Sequence, residues 1–208
     1  MGEPRDCTVV ACGTLRPELQ ALAEDGFIDE GNLLFTAPGL HEDPRQLEKQ
    51  LARQLQKVRS AKRHVIVVYG AKCYVDTVDP MRTIRSLIDE HGNHAHRVNA
   101  ENCVDMLAGE EERERIAGGD RVYWLTPGWL RHWRYIFREW DTGKANETFP
   151  QHDKAILLDA VDFFESYSAE KPDEVLAFSD WMGLPIVPHS ISLDRLRGLL
   201  SDEAKQQA

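Results

Sequence analysis

The chain has 208 residues, and its hydrophobic fraction of 42% and charged fraction of 29% are typical of a globular protein, which excludes a disordered, collagen-like or low-complexity chain. Its formal net charge of −10 argues against nucleic acid or an anionic membrane surface as a main partner. No run of residues approaches the roughly 20 apolar positions of a membrane span, and no export signal is recognisable, so we expect a cytoplasmic protein with reduced cysteines.

Short apolar runs alternate with longer segments of helical period, which is typical of a mostly parallel sheet with helices on both faces. Strands are predicted, in chain order, at residues 8–12, 33–35, 64–69, 96–98 and 122–125. The third strand is the clearest, because its β-branched run suits a strand that is buried on both faces. The sequence therefore predicts an α/β, Rossmann-like three-layer fold.

Helices are predicted between these strands from capping residues and apolar spacing. Asp43 is expected to cap a helix that starts at Pro44, and Asn102 to cap one that starts at Cys103. Another helix is expected to start near Asp79. Its predicted buried face consists of Met81, Ile84, Leu87 and Ile88.

A tryptophan-rich segment follows the fifth strand. Trp129 and Trp133 stand four residues apart after the turn at 126–128, and this spacing predicts a core-facing stripe on a helix. Residues 141–208 are predicted to be mainly helical, with a helix over 153–168 and a short strand at 186–187. No linker or composition break divides the chain, so we expect one domain over residues 1–208, with its alternating core in 8–140.

Cysteine and histidine residues follow the first four strands. Cys12 ends the first strand, His41 follows the second, Cys73 follows the third and Cys103 follows the fourth. Because the carboxyl ends of parallel strands meet at one edge of a sheet, we expect these four side chains to lie together. Cys7 precedes the first strand and is expected at the opposite edge.

Three thiolates and one imidazole form a ligand set that suits tetrahedral zinc, and such ligands also bind iron or an iron–sulfur cluster. The helix N-terminus at Cys103 is expected to lower the pKa of its thiol, and Glu101 is a candidate ligand or base beside it. Alternatively, Cys12 and Cys103 are small apolar core residues and His41 only packs or caps, because free cysteine is often buried. Both interpretations stay open.

Four segments together resemble a family of bacterial and archaeal proteins. They are Leu40-His41 followed by Pro44, Tyr69-Gly70 followed by Cys73, Asn102-Cys103 followed by 107–109, and the Tyr-Trp-Leu-Thr-Pro-Gly-Trp run at 123–129. The likeness covers about residues 8–165. This family of unknown function is often encoded beside corrinoid-dependent methylamine and glycine-betaine methyltransferases. The resemblance implies that the cysteines and the histidine matter together, and it points to one-carbon metabolism.

Three functional interpretations remain, and they leave open whether the protein is an enzyme and whether it forms oligomers. The first is a metalloprotein that binds zinc or iron at Cys12, His41, Cys73 and Cys103. For this protein, the resemblance implies methyl-group or corrinoid-linked chemistry on a small-molecule ligand. The second is a metal-free enzyme in which Cys12 and Cys73 act as in cofactor-independent amino-acid racemases. The third is a non-catalytic accessory protein that holds a corrinoid or a methyltransferase partner at Trp129.

Overall fold

The computed structural model describes residues 2–59, 63–91 and 94–206. Within them the strands form two sheets, and the strand pairs within each sheet are parallel. The strands are β1 Thr8–Ala11, β2 Leu33–Phe35, β3 Val65–Val68, β4 Ala95–Arg97, β5 Val122–Leu125, β6 Lys154–Asp159 and β7 Ile186–Ser190. The first sheet has the order β2-β1-β3-β4, and the second has the order β5-β6-β7.

Helices connect these strands along the chain. They are α1 Arg16–Glu24, α2 Pro44–Val58, α3 Ile84–His91, α4 Cys103–Leu107, α5 Glu110–Ala117, α6 Pro127–Ile136, α7 Thr142–Thr148, α8 Phe163–Glu170, α9 Pro172–Met182 and α10 Asp194–Gln206. Among the described residues, none of the helices combines the length and apolar character that a membrane crossing requires. The α/β fold predicted from the alternation of elements is confirmed, although the fifth predicted strand belongs to a second sheet.

Three apolar clusters cover the faces of the two sheets. Val9 and Ile66 of the first sheet pack in one cluster with α1, α10 and Ile156 of the second sheet. Val10, on the opposite face of β1, packs against α2 and α3. Leu157 of β6 packs with α6 and α9. The first cluster is therefore shared by both sheets, and β1 is buried on both faces, as its apolar sequence predicts.

The predicted caps are confirmed at two helices beside the candidate site. Asp43 accepts a hydrogen bond from the N–H of Gln46 at 3.2 Å. Asn102 accepts one from the N–H of Asp105 at 2.9 Å, and α4 begins at Cys103. Both side chains satisfy N–H groups that have no partner within their own helix, which fixes where these helices start.

The helix predicted over 153–168 is wrong. Residues 154–159 form β6, which is paired on both sides, and α8 starts only at Phe163. Asp159 ends the strand and accepts hydrogen bonds from the N–H groups of Phe163 at 2.9 Å and Phe164 at 2.8 Å, so it caps the following helix. A short apolar run fits a buried strand as well as a helix, and pairing with two neighbours decides between them. Residues 141–208 therefore contain two strands as well as helices.

The inward packing predicted for Met81 is also wrong. α3 starts at Ile84 rather than near Asp79. The side chain of Asp79 accepts a hydrogen bond from the N–H of Met81 at 3.0 Å, which stabilises a turn there instead of a helix. Met81 is 84% exposed, whereas Ile84 is 2% exposed.

Candidate functional site

The four predicted cysteine and histidine side chains come together at the carboxyl edge of the first sheet. Cys12 follows β1, and Cys73 lies in a 3-10 turn after β3. His41 lies in a similar turn after β2, and Cys103 is the first residue of α4. All four line one cavity of about 20 Å³. This volume suits a single species of the size of a water molecule.

A close backbone approach joins the Cys73 turn to the segment before Cys103. A Cβ atom on Gly70 would lie 2.2 Å from the carbonyl oxygen of Glu101, so glycine is required there. The N–H of Lys72 donates to the same oxygen at 2.9 Å. The spacing between the two cysteine-bearing loops therefore depends on Gly70.

A second close approach joins the turn after Cys12 to the start of α6. A Cβ atom on Gly128 would lie 2.1 Å from the carbonyl oxygen of Thr14, and the hydroxyl of Thr126 donates to that oxygen at 3.3 Å. The hydroxyl of Thr14 in turn donates to the Cys12 sulfur at 3.1 Å. These contacts hold Trp129, the next residue of α6, against the cysteine cavity.

Trp129 is buried, with only 7% of its surface exposed. Its ring centroid lies 5.2 Å from that of His41 and 5.3 Å from that of Phe137. Its indole N–H has no hydrogen-bond partner among the described residues, and it lies close enough to Cys103 to favour the thiolate form of that residue. The ring packs inside the protein beside His41 and Cys103, whereas the corrinoid interpretation depends on an exposed ring.

His41 is supported by an ionised carboxylate. Its Nε2 atom lies 3.6 Å from Oε1 of Glu42. Burial lowers the pKa of His41, so the imidazole is neutral near pH 7 and keeps a nitrogen lone pair for a ligand. Burial opposes the ionisation of Glu42, but hydrogen bonds from Lys144 at 2.9 Å and from the indole of Trp140 at 2.7 Å outweigh it and lower the pKa of Glu42.

Burial affects the pKa of the Cys73 and Cys103 thiols more than the helix N-terminus does. It raises the pKa of Cys73 to about 12, and the nearby Cys12 adds to this rise. Burial also raises the pKa of Cys103, as do the charges of Cys73 and Cys12. The expectation of a lowered pKa at Cys103 is therefore wrong, because desolvation outweighs the small dipole of a five-residue helix. The thiols stay protonated at neutral pH unless a bound cation stabilises the thiolates.

The ligand atoms of the four residues line the cavity without converging on a single point. Within the described residues, no three of Cys12, His41, Cys73 and Cys103 have ligand atoms that all lie within 4.8 Å of one another. Binding of one ion by all four therefore requires side-chain rotation towards the cavity. Glu101, predicted as a ligand or base, turns away from it. Its side chain is 56% exposed and pairs with Lys72.

Another cluster of potential ligands lies between α2 and α3. Glu48, Glu90 and His91 have ligand atoms within 4.8 Å of one another. Arg82 occupies this cluster, since its guanidinium donates to Glu48 at 2.6 Å and to Glu90 at 2.7 Å. These hydrogen bonds lower the pKa of both carboxyl groups. The cluster is an ion-pair network in which the guanidinium of Arg82 already takes the place that a metal ion would occupy between the carboxylates.

Two polar groups beside the cavity carry little signal in the sequence. Tyr69 forms a short hydrogen bond between its hydroxyl and that of Thr36. Burial, followed by the charge of Cys12, raises the pKa of Tyr69. Glu42 follows His41 directly in the sequence, and this proximity alone could have marked it as part of the site. Its hydrogen bonds with Trp140 and Lys144 cannot be predicted from the sequence. The hydroxyl of Tyr69 and the carboxylate of Glu42 are therefore part of the polar surroundings of the site.

Comparison with known proteins places the chain in a family. It matches, over residues 35–200, the family model described as a protein of unknown function, DUF1638. No curated protein and no solved structure matches the chain. The matched segment includes His41, Cys73, Cys103 and Trp129, whereas the neighbourhood of methyltransferase genes stays a prediction. Because the match covers well over half of the chain, the protein belongs to the DUF1638 family of unknown function.

Proposed function

We propose that this protein binds a single thiophilic metal ion, zinc or iron, through Cys12, His41, Cys73 and Cys103. The observation that carries the proposal is the cavity of about 20 Å³ that all four side chains line. Thiolate sulfur and imidazole nitrogen are ligands that zinc and iron accept readily. The small volume favours one ion over an iron–sulfur cluster.

The polar groups around the cavity suit a charged metal–thiolate centre. The N–H of Trp129 has no partner within the described part of the chain and lies beside Cys103, so it needs an acceptor. An ionised sulfur accepts a hydrogen bond more strongly than a neutral thiol does. Glu42 lies behind His41 as carboxylates commonly lie behind metal-bound histidines, where they orient the ring. A bound cation also offsets the effect of burial on the thiols, because it stabilises their deprotonated forms.

The number of ligands decides what such a centre does. Four protein ligands close a tetrahedral site, which suits a structural or storage role. A Lewis-acid role requires water or a substrate to displace one ligand. We expect His41 to be the displaced ligand, because its side chain is 31% exposed. Methyl-group or corrinoid-linked chemistry belongs to this second case and rests on the family resemblance alone.

Metal analysis of untagged protein purified without oxygen tests the proposal. We expect about one equivalent of zinc or iron per wild-type chain, and less than about 0.2 equivalents in Cys73→Ser and Cys103→Ser. Cys7→Ser is the matched control, because this buried thiol lies before β1 and outside the cavity. It should keep the wild-type content. A wild-type content below about 0.2 equivalents after reconstitution with zinc and iron would overturn the proposal.

A further inference from the structure

Three basic side chains come together between the start of α1 and the middle of α6. Arg16 is the first residue of α1, and Arg131 and His132 are consecutive residues of α6. Burial lowers the pKa of His132, and the charges of Arg131 and Arg16, which lie near it, lower it further. We call these three residues the cation cluster.

The positive charge of the cation cluster is not balanced by nearby acids. Among the described residues, no carboxylate lies within ion-pair distance of Arg16, Arg131 or His132. Glu18 lies near Arg131, but burial raises its pKa to about 8, so this carboxyl group is mostly neutral at pH 7. Unbalanced positive charge in a chain with a net charge of −10 favours an anionic ligand at this place.

Aromatic rings hold both guanidinium groups of the cation cluster. The Cζ atom of Arg16 lies 4.0 Å from the ring centroid of Phe35, and that of Arg131 lies 4.9 Å from the ring centroid of Phe163. Stacking leaves the N–H groups at the edge of each guanidinium free to donate to an oxyanion. Because the rings already restrict both side chains, ligand binding costs less conformational entropy.

Arg131 also lines a cavity of about 520 Å³ beyond the carboxyl end of β6. The walls of this cavity come from α1, from the segment between β6 and α8, and from α8 itself, where Phe163 and Tyr167 contribute aromatic surface. Its volume lies in the range of sites that bind small molecules. Open parallel sheets bind their ligands beyond the carboxyl ends of the strands, which is where this cavity lies.

Carboxylates line the same cavity. Glu24, Asp162 and Glu170 have no cation within ion-pair distance in the part of the chain that the structure describes. Asp25, by contrast, pairs with Arg197. The carboxylates repel a ligand that is anionic throughout, so the part of a ligand that lies in the cavity must be uncharged or cationic.

We propose that the cation cluster binds the phosphate group of a small organic phosphate, whose uncharged or cationic remainder lies in the cavity beyond β6. Two guanidinium groups and one imidazole offer N–H donors to all three terminal oxygens of a phosphate monoester. A carboxylate group has only two oxygens and one negative charge, so it matches the cluster less well. This binding does not require a metal ion in the cysteine cavity.

NMR titration of the full-length protein at constant pH and ionic strength tests the proposal. Inorganic phosphate should shift the imidazole C–H resonances of His132, which the spectrum of His132→Gln identifies, and should bind with a Kd of about 1 mM. Phosphoethanolamine should bind at least about threefold more tightly, because its ammonium group meets the carboxylates of the cavity. Acetate should bind at least about tenfold more weakly than inorganic phosphate, since it offers one charge and two oxygens.

Arg16→Gln and Arg131→Gln should each weaken the binding of phosphoethanolamine by about tenfold, because each removes a charged donor. Arg53→Gln is the matched control. It removes another exposed arginine, in α2, that has no carboxylate within ion-pair distance among the described residues, and it should bind like the wild type. Urea unfolding should show the same stability for all three variants, since all three side chains are exposed.

No shift of the His132 resonances up to about 50 mM inorganic phosphate would overturn the proposal. Unchanged binding in both Arg16→Gln and Arg131→Gln would overturn it too, because the phosphate then binds elsewhere. Equal affinity for acetate and phosphate would overturn the choice of phosphate, and equal affinity for phosphate and phosphoethanolamine would overturn the role of the cavity. All of these measurements are made without added metal, so their failure leaves the metal proposal to its own test.

Discussion

The indole N–H of Trp140 donates a 2.7 Å hydrogen bond to Glu42, the residue next to His41. Trp140 follows α6, whereas Glu42 lies in the turn after β2. Lys144 of α7 donates to the same carboxylate oxygen at 2.9 Å. The position of the Glu42 carboxylate beside His41 therefore depends on residues that pack with the second sheet.

Glu42→Ala should weaken both the fold and the metal site. Loss of a charged acceptor of two hydrogen bonds should lower the free energy of unfolding by about 2 kcal/mol. Metal affinity should fall by roughly 10- to 100-fold, because the imidazole of His41 loses the carboxylate that orients it. Urea unfolding and chelator competition measure the two effects. Glu139→Ala, at a side chain that is 83% exposed, should change neither. Unchanged metal affinity in Glu42→Ala would remove Glu42 from the site.

Gly70→Ala should destabilise the protein by about 2 kcal/mol or more. Its new Cβ would meet the carbonyl oxygen of Glu101 at 2.2 Å and the backbone of Asn102 at 2.4 Å, and backbone atoms cannot rotate out of the way. Gly198→Ala in α10 is the matched control, since a Cβ there meets no atom within 4 Å. That substitution should stabilise the helix by about 0.5–1 kcal/mol. Equal stability of the two variants in urea unfolding would contradict the close approach.

Glu18 should make the stability of the wild type fall as the pH rises. The residue is fully buried in α1, and neither carboxylate oxygen has a partner among the described residues. Burial raises its pKa from 4.5 to about 8, with Asp159 adding to the rise and Arg131 opposing it. The folded state therefore holds this proton more tightly than the unfolded state. The resulting stabilisation is complete below pH 4.5 and is lost as the pH rises to about 8, at about 1.4 kcal/mol per pH unit.

Glu18→Gln removes the titrating group, so this loss of stability with pH should disappear. Urea unfolding at several pH values between 5 and 8 measures the slope. Glu24→Gln changes an exposed carboxyl on the same helix and should keep the wild-type slope. Parallel slopes for the wild type and Glu18→Gln would show that Glu18 is not buried as a neutral acid.

Cys73 and Cys103 should react slowly with iodoacetamide in the metal-free protein near neutral pH. Burial raises the pKa of both thiols, so the reactive thiolate is scarce. We expect modification at least about tenfold slower than that of free cysteine, as measured by peptide mass spectrometry. Rapid modification of either residue would instead favour the metal-free enzyme, in which a thiolate acts as base or nucleophile.

Strands β1 and β3 of the first sheet are predictable from the sequence because they are almost entirely apolar and are buried on both faces. The β-branched run at Val65–Val68 has few alternatives to a buried strand. The run at Lys154–Asp159 is ambiguous, because only its pairing with β5 and β7 distinguishes a strand from a helix. The prediction that Met81 packs inward fails for a local reason. The side chain of Asp79 stabilises a turn where apolar spacing alone predicts a helix.

The gathering of Cys12, His41, Cys73 and Cys103 around one cavity is predictable, because chain order places each residue after a parallel strand. The raised pKa values of Cys73 and Cys103 are not predictable from the sequence. They depend on desolvation and on neighbouring sulfur atoms about 30 to 90 positions away in the chain. The support of His41 is also not predictable. It requires knowledge that Trp140 and Lys144 reach Glu42 across about 100 residues.

The contact between Gly128 and Thr14 joins a late part of the chain to an early one. All four proposed ligands lie between residues 12 and 103, whereas Trp129 and its helix follow them. Translation proceeds from the N-terminus, so all four cysteine and histidine loops leave the ribosome before the indole ring of Trp129. The contact between that ring and His41 therefore forms only after the loops of the candidate site have been synthesised.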